Sequence, residues 1–80
     1  MTTLTKFFTK LGADVLFIRD VDPASVSRYA GLAEDILKQY ADPRPKLGKL
    51  MKAFAKDNGH CIMRADELVD ALMTELERIK

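Results

Sequence analysis

Residues 45–57 read PKLGKLMKAFAKD, and the spacing within this stretch decides the fold class. At about 100° per residue, its large apolar side chains fall on one side of a helix. They are Leu47, Leu50, Met51 and Phe54. The lysines lie on the opposite side, and they are Lys46, Lys49, Lys52 and Lys56. We therefore predict an amphipathic helix over residues 45–57 that ends at Asn58 and Gly59.

Three other stretches have the same helical period, and the first is residues 3–20. A second helix is predicted from Asp22 and Pro23 to about residue 41, because aspartate accepts hydrogen bonds from free backbone amides and proline suits the first helical position. The last, residues 65–79, begins with acidic and ends with basic side chains, which suits the helix dipole. We predict an all-α fold, a compact bundle of about four helices in a single domain, residues 1–80.

The first stretch leaves an alternative open at Gly12. A continuous helix tolerates this glycine at a cost of roughly 1 kcal/mol relative to alanine. If Gly12 instead ends the helix, residues 15–18, with the sequence VLFI, favour a short strand. Pairing of residues 15–18 with residues 60–63 would then give an α+β fold with a short two-stranded element. Periodicity favours the helix, whereas residue propensity favours the strand.

Composition narrows the class of protein. The 80 residues are 48% hydrophobic and 31% charged, which is typical of a globular domain. The longest apolar run, residues 15–18, is far shorter than the roughly 20 residues that cross a bilayer, so we expect no membrane partner. Lys6 and Lys10 are not followed by the apolar segment of a secretion signal. The single cysteine, Cys61, suits a reducing compartment, so we expect a cytoplasmic protein.

Charge is distributed unevenly around a formal net charge of +1. Residues 38–64 carry seven basic and two acidic side chains, whereas residues 65–80 carry two basic and five acidic ones. This positive middle segment is the candidate surface for an anionic partner. We predict that the partner-binding residues are Arg44, Lys46, Lys49, Lys52 and Lys56.

Residues that could carry catalysis are sparse. His60 and Cys61 are the one nucleophile-and-base pair in the sequence, but neighbours in an extended segment point to opposite faces. The sequence has no second histidine for a zinc site and no glycine-rich phosphate loop. We therefore predict a protein that is not an enzyme and that uses no catalytic residue, metal or cofactor.

Residues 21–29, VDPASVSRY, suggest a different partner. They resemble the turn and recognition helix of phage and plasmid helix-turn-helix repressors, and the resemblance covers residues 12–31. It implies a DNA-binding regulator in which Ser25, Ser27 and Arg28 face the major groove. Hydroxyl and guanidinium groups there would contact base edges or phosphates.

The function we predict is a non-catalytic small regulator or inhibitor that binds another protein through the basic helix. The partner would present an acidic surface, and charge would steer the encounter. A helix-turn-helix regulator of phage or plasmid type is the alternative. The apolar stripe of the last helix is wide enough to serve the core on one side and a homodimer contact on the other. The residues of that contact would be Leu68, Leu72 and Leu76.

Overall fold

The computed structural model describes residues 3–78, and within this range the chain forms helices and no strand. Helix α1 covers Thr3–Lys10 and continues as a π-helical turn over Leu11–Val15. Helices α2, α3 and α4 cover Pro23–Gln39, Arg44–Asp57 and Ala65–Arg78. The predicted all-α bundle of four helices is confirmed, and the two-stranded alternative is not the fold that the chain adopts. Ile79 and Lys80, predicted near the end of the last helix, lie outside the described residues.

The first helix passes through Gly12 without a break but widens there. The amide of Leu16 donates a hydrogen bond to the carbonyl of Leu11 at 3.0 Å, which is the i to i−5 pattern of a π turn. The helix ends at Val15, so the predicted end at residue 20 was wrong. Phe17 adopts a left-handed φ of 56°, and the amide of Ile18 donates to the carbonyl of Gly12 at 2.9 Å. The apolar periodicity of the sequence continues beyond the helix end at Val15 because the irregular segment that follows also packs towards the core.

Gly12 has a steric role. A Cβ atom on Gly12 would lie 2.9 Å from Cγ2 and 3.2 Å from Cγ1 of Val21. The first of these contacts is shorter than real Cβ atoms tolerate and the second is tight, so a side chain there would force Val21 aside. The glycine therefore lets the connector, residues 16–22, pack directly against the first helix.

Two other helix boundaries follow the caps that the sequence indicates. The carboxylate of Asp22 accepts a hydrogen bond from the amide of Ala24 at 3.0 Å, and Pro23 is the first residue of α2. At the end of α3, the side-chain amide of Asn58 donates to the carbonyl of Phe54 at 2.8 Å. Gly59 follows with a φ of 77°, the left-handed conformation that glycine adopts at no steric cost. Both predicted boundaries are confirmed.

The core takes side chains from every helix. Helix α3 lies between α2 and α4, and α1 packs mainly on α2. Phe54 is at the centre, with ring centroids 5.2 Å from Phe8 and 5.3 Å from Tyr29 in edge-to-face arrangements. Leu47, Met51 and Leu72 are also fully buried. Each such side chain contributes about 1.5 to 3 kcal/mol by leaving water. No helix in residues 3–78 combines the length and apolarity needed to cross a membrane.

Tyr29 connects α2 to α3 by a polar contact. Its ring is buried, and its hydroxyl donates a hydrogen bond to the carboxylate of Asp57. The same hydroxyl lies 3.4 Å from the carbonyl oxygen of Ala53. Burial, followed by the hydrogen bond and the negative charge of Asp57, raises the pKa of the Tyr29 hydroxyl, and the positive charge of Arg28 opposes this shift.

Candidate partner-binding surface

Lys49, Lys52 and Lys56, the lysine row, lie along one side of α3 with their side chains exposed. Burial of Leu47 and Phe54 on the opposite side fixes this orientation. Spacings of three and four residues place the lysines in line over roughly 10 Å of helix. Among residues 3–78, no carboxylate forms an ion pair with any of them. The lysine row is therefore a line of uncompensated positive charge.

Two of the five predicted partner-binding residues are engaged within the protein itself. The guanidinium of Arg44 forms an ion pair with the carboxylate of Asp70, which connects the start of α3 to α4. The ammonium of Lys46 lies 5.4 Å from the centroid of the Tyr40 ring, a cation–π contact. Both basic residues are exposed. The structure thus separates the predicted set into three unpaired lysines and two side chains with internal contacts.

A groove of about 500 Å³ runs beside the lysine row, between α3 and the start of α4. A Cβ on Gly48 would lie at an ordinary 3.8 Å from Cγ2 of Val69, so the approach of the two helices does not require glycine at this position. Lys49 and Lys52 line one side of the groove, and Asp66 lines the other. Met63, which is 88% exposed, also lines it. A bound segment could therefore pair an acidic group with a lysine while an apolar side chain contacts Met63.

Sequence reasoning missed the contribution of Met63. It stands in the connector between α3 and α4, where a lone apolar residue gives no periodic signal. In the structure Ile62 is the buried residue of this connector, and its neighbours Cys61 and Met63 are exposed.

The residues of the predicted DNA-contact set lie on the first turns of α2. Ser27 and Arg28 are exposed, whereas Ser25 is half-buried. The preceding helix ends at Val15, and residues 16–22 connect it to α2. These side chains therefore lie on a different helix from the lysine row.

The three residues predicted for a dimer contact differ in how deeply they are buried. Leu72 is fully buried in the domain's own core, whereas Leu68 and Leu76 are half-buried. Leu68 lines a second groove, of about 460 Å³, between α1 and α4. Phe7, Leu11 and Val15 of the first helix supply most of its apolar lining. The sequence did not indicate this contribution, because periodicity does not show which helices become neighbours.

Two surfaces thus stand out, the lysine row with its groove and the apolar groove between α1 and α4. Within residues 3–78, no cluster of three histidine, cysteine or acidic side chains is arranged to hold a metal ion. No protein-family model matches the chain, and no curated protein or solved structure is significantly similar to it.

Proposed function

We propose that this protein is a non-catalytic regulator or inhibitor that binds an acidic surface of another protein through the lysine row. The observation that carries the proposal is the absence of an ion-pair partner for Lys49, Lys52 or Lys56 among the described residues. Four other basic side chains among the described residues do form ion pairs. Lys38, for example, lies 3.1 Å from Glu34, and Arg64 lies 3.1 Å from Glu67.

The reason for the difference is local sequence. Side chains three and four residues apart are neighbours on a helix surface. Around Lys52 these positions hold Gly48, Lys49, Ala55 and Lys56. No acidic residue is therefore within reach on the same helix, and the charges of the row add. A line of like charge raises the rate of encounter with an opposite charge, and salt screens this effect over about 8 to 10 Å.

Charge alone gives little affinity, because an exposed ion pair contributes about 0 to 1 kcal/mol. The adjoining groove supplies the apolar component. Met63 is exposed and Val69 lines the same groove, next to Lys49 and Lys52. Affinity at interfaces comes mainly from a few apolar or aromatic side chains that are removed from water, and charge sets orientation and specificity. We therefore expect a partner segment in which acidic residues flank an apolar side chain.

Affinity capture with two matched charge reversals tests the proposal. Lys49→Glu with Lys52→Glu changes the lysine row, and Arg19→Glu with Arg28→Glu makes the same change in charge on other exposed residues. A partner captured by the wild type, identified and purified, should bind the Arg19/Arg28 variant normally and lose binding to the Lys49/Lys52 variant. Equal loss in both variants, or none in either, would contradict docking through the lysine row. Circular dichroism of each variant checks that helicity is retained.

A DNA-binding regulator is the second candidate, and the observation in its favour is the exposure of Ser27 and Arg28 on the first turns of α2. Anisotropy of a labelled arbitrary DNA duplex at about 50 and about 200 mM salt tests it, because phosphate-driven binding weakens steeply between these concentrations. Salt-sensitive binding that the Arg19/Arg28 variant loses would favour this candidate. Absence of binding at the lower salt concentration would leave the protein partner.

A further inference from the structure

The groove between α1 and α4 is apolar at its base and charged at its rim. Phe7 and Leu68 are half-buried in it, and Val15 is 45% exposed. Helix α1 contacts α4 only over a short stretch, so the two helices leave this space between them. Apolar surface gathered in one concave place is what distinguishes a contact site from scattered exposed side chains.

The rim carries both signs of charge in equal number. Lys6 and Lys10 lie on α1, Asp14 lies in the π turn and Glu75 lies on α4. Among the described residues, the one ion pair of this set joins Glu75 to Arg78 at 3.7 Å, and both side chains are exposed and weakly held. This balance contrasts with the lysine row, where every charge is positive.

The signs of the rim charges indicate which kind of molecule the groove would bind. A two-fold interface places one surface patch against the same patch of another copy, so a patch of one sign would repel itself. A patch with equal numbers of both signs offers each charge a partner of opposite sign. We propose that a second copy of this chain covers the groove and that the protein associates into a two-fold dimer through α1 and α4. The lysine row remains outside this contact, and the dimer does not rest on the proposed function.

Helix geometry separates the α1–α4 groove from the groove beside the lysine row. At about 100° per residue, Leu68, Ala71 and Glu75 lie on one side of the buried stripe of α4. Asp66 and Asp70, which line the groove beside the lysine row, lie on the other side. The two grooves share no lining residue, so each can be altered by substitutions that do not lie in the other. The two proposals can consequently fail independently.

A single exposed position tests the contact. Ala71 lines the α1–α4 groove and is exposed, and arginine there has Glu75 four residues later on the same helix. Ala53→Arg on α3 is the matched control, because Ala53 is exposed and has Asp57 four residues later. In sedimentation equilibrium from about 5 to about 500 μM, a range suited to small interfaces, the wild type should dimerise. Ala71→Arg should weaken association about tenfold or more, and Ala53→Arg should not.

Charge reversal of the rim gives a second test that needs no knowledge of the register. Lys6→Glu with Lys10→Glu makes the rim wholly acidic, and Asp14→Lys with Glu75→Lys makes it wholly basic. Each variant alone should associate more weakly than the wild type, and an equimolar mixture should form a heterodimer. A wild type that stays monomeric at the highest concentration, unaltered association of Ala71→Arg, or a mixture without heterodimer would each overturn the proposal.

Discussion

The hydroxyl of Tyr29 on α2 donates a hydrogen bond to the carboxylate of Asp57 at the end of α3. Because burial and this carboxylate raise the pKa of the hydroxyl above its ordinary value of 10.0, the folded state favours the neutral tyrosine. The stabilisation is fully present below pH 10 and is lost as pH rises through the raised pKa. We expect Tyr29→Phe to lower the free energy of unfolding at pH 7 by about 1 kcal/mol.

The difference in the free energy of unfolding between the wild type and Tyr29→Phe should become smaller above pH 10. Urea unfolding at pH 7, 9 and 11 measures this difference. Tyr40→Phe is the control, since the Tyr40 ring is 44% exposed and phenylalanine keeps the ring near Lys46. A difference in the free energy of unfolding that stays constant across this pH range would contradict the role given to Tyr29.

Gly12→Ala should lower the free energy of unfolding by about 1 to 3 kcal/mol, because the new Cβ would overlap Val21. Adding Val21→Ala should recover part of the loss, which a double-mutant cycle measures as coupling. Gly31→Ala should instead stabilise the protein by about 0.5 to 1 kcal/mol, since no atom lies within 4 Å of a Cβ there. If both glycine variants shift the urea midpoint in the same direction, the steric explanation is wrong.

Arg44→Ala and Lys49→Ala should affect different properties. The Arg44 side chain pairs with Asp70, so its loss should lower stability by at most about 1 kcal/mol and leave partner binding nearly unchanged. Lys49 has no ion pair among the described residues, so Lys49→Ala should slow association with the identified partner and reduce its salt dependence. Stopped-flow association rates at two salt concentrations separate these effects. If both variants slow association with the partner to a similar extent, the distinction between the ion-paired Arg44 and the unpaired Lys49 is wrong.

Phe17→Gly should raise stability by about 1 kcal/mol, because glycine adopts a positive φ without the steric cost that other residues meet. Little packing is lost, since the side chain is 82% exposed. Thermal unfolding at low protein concentration measures the effect, with Phe17→Ala as the control that removes the ring and keeps the strain. A glycine variant no more stable than the alanine variant would show that the backbone there is relaxed.

Local signals predicted most of the fold. Asp22 and Gly59 act within their own turns, so the start of α2 and the end of α3 could be placed from residue type. The end of the first helix could not. Its stop depends on Phe17 in a conformation that phenylalanine rarely adopts, and on packing of Val21 against Gly12. Residue propensities describe neither the conformation of Phe17 nor the packing of Val21 against Gly12.

The candidate surface was predicted in outline only. The helical period of α3 placed its lysines opposite the core, but Asp70 and Tyr40, which engage Arg44 and Lys46, come from other parts of the chain. Leu72 was assigned to a dimer contact because one stripe of α4 contains both core and surface leucines. Which leucine faces the core depends on the placement of the neighbouring helices, and this is a tertiary property.

The connector between α3 and α4 also offers a spectroscopic advantage. Cys61 is the single cysteine of the chain, and its side chain is exposed two residues before Met63. A thiol-reactive fluorophore can therefore be attached to the wild-type protein at one defined position. Because Met63 lines the groove beside the lysine row, the dye would be attached two residues from that groove, and a change in its emission would test in real time whether the proposed partner binds there.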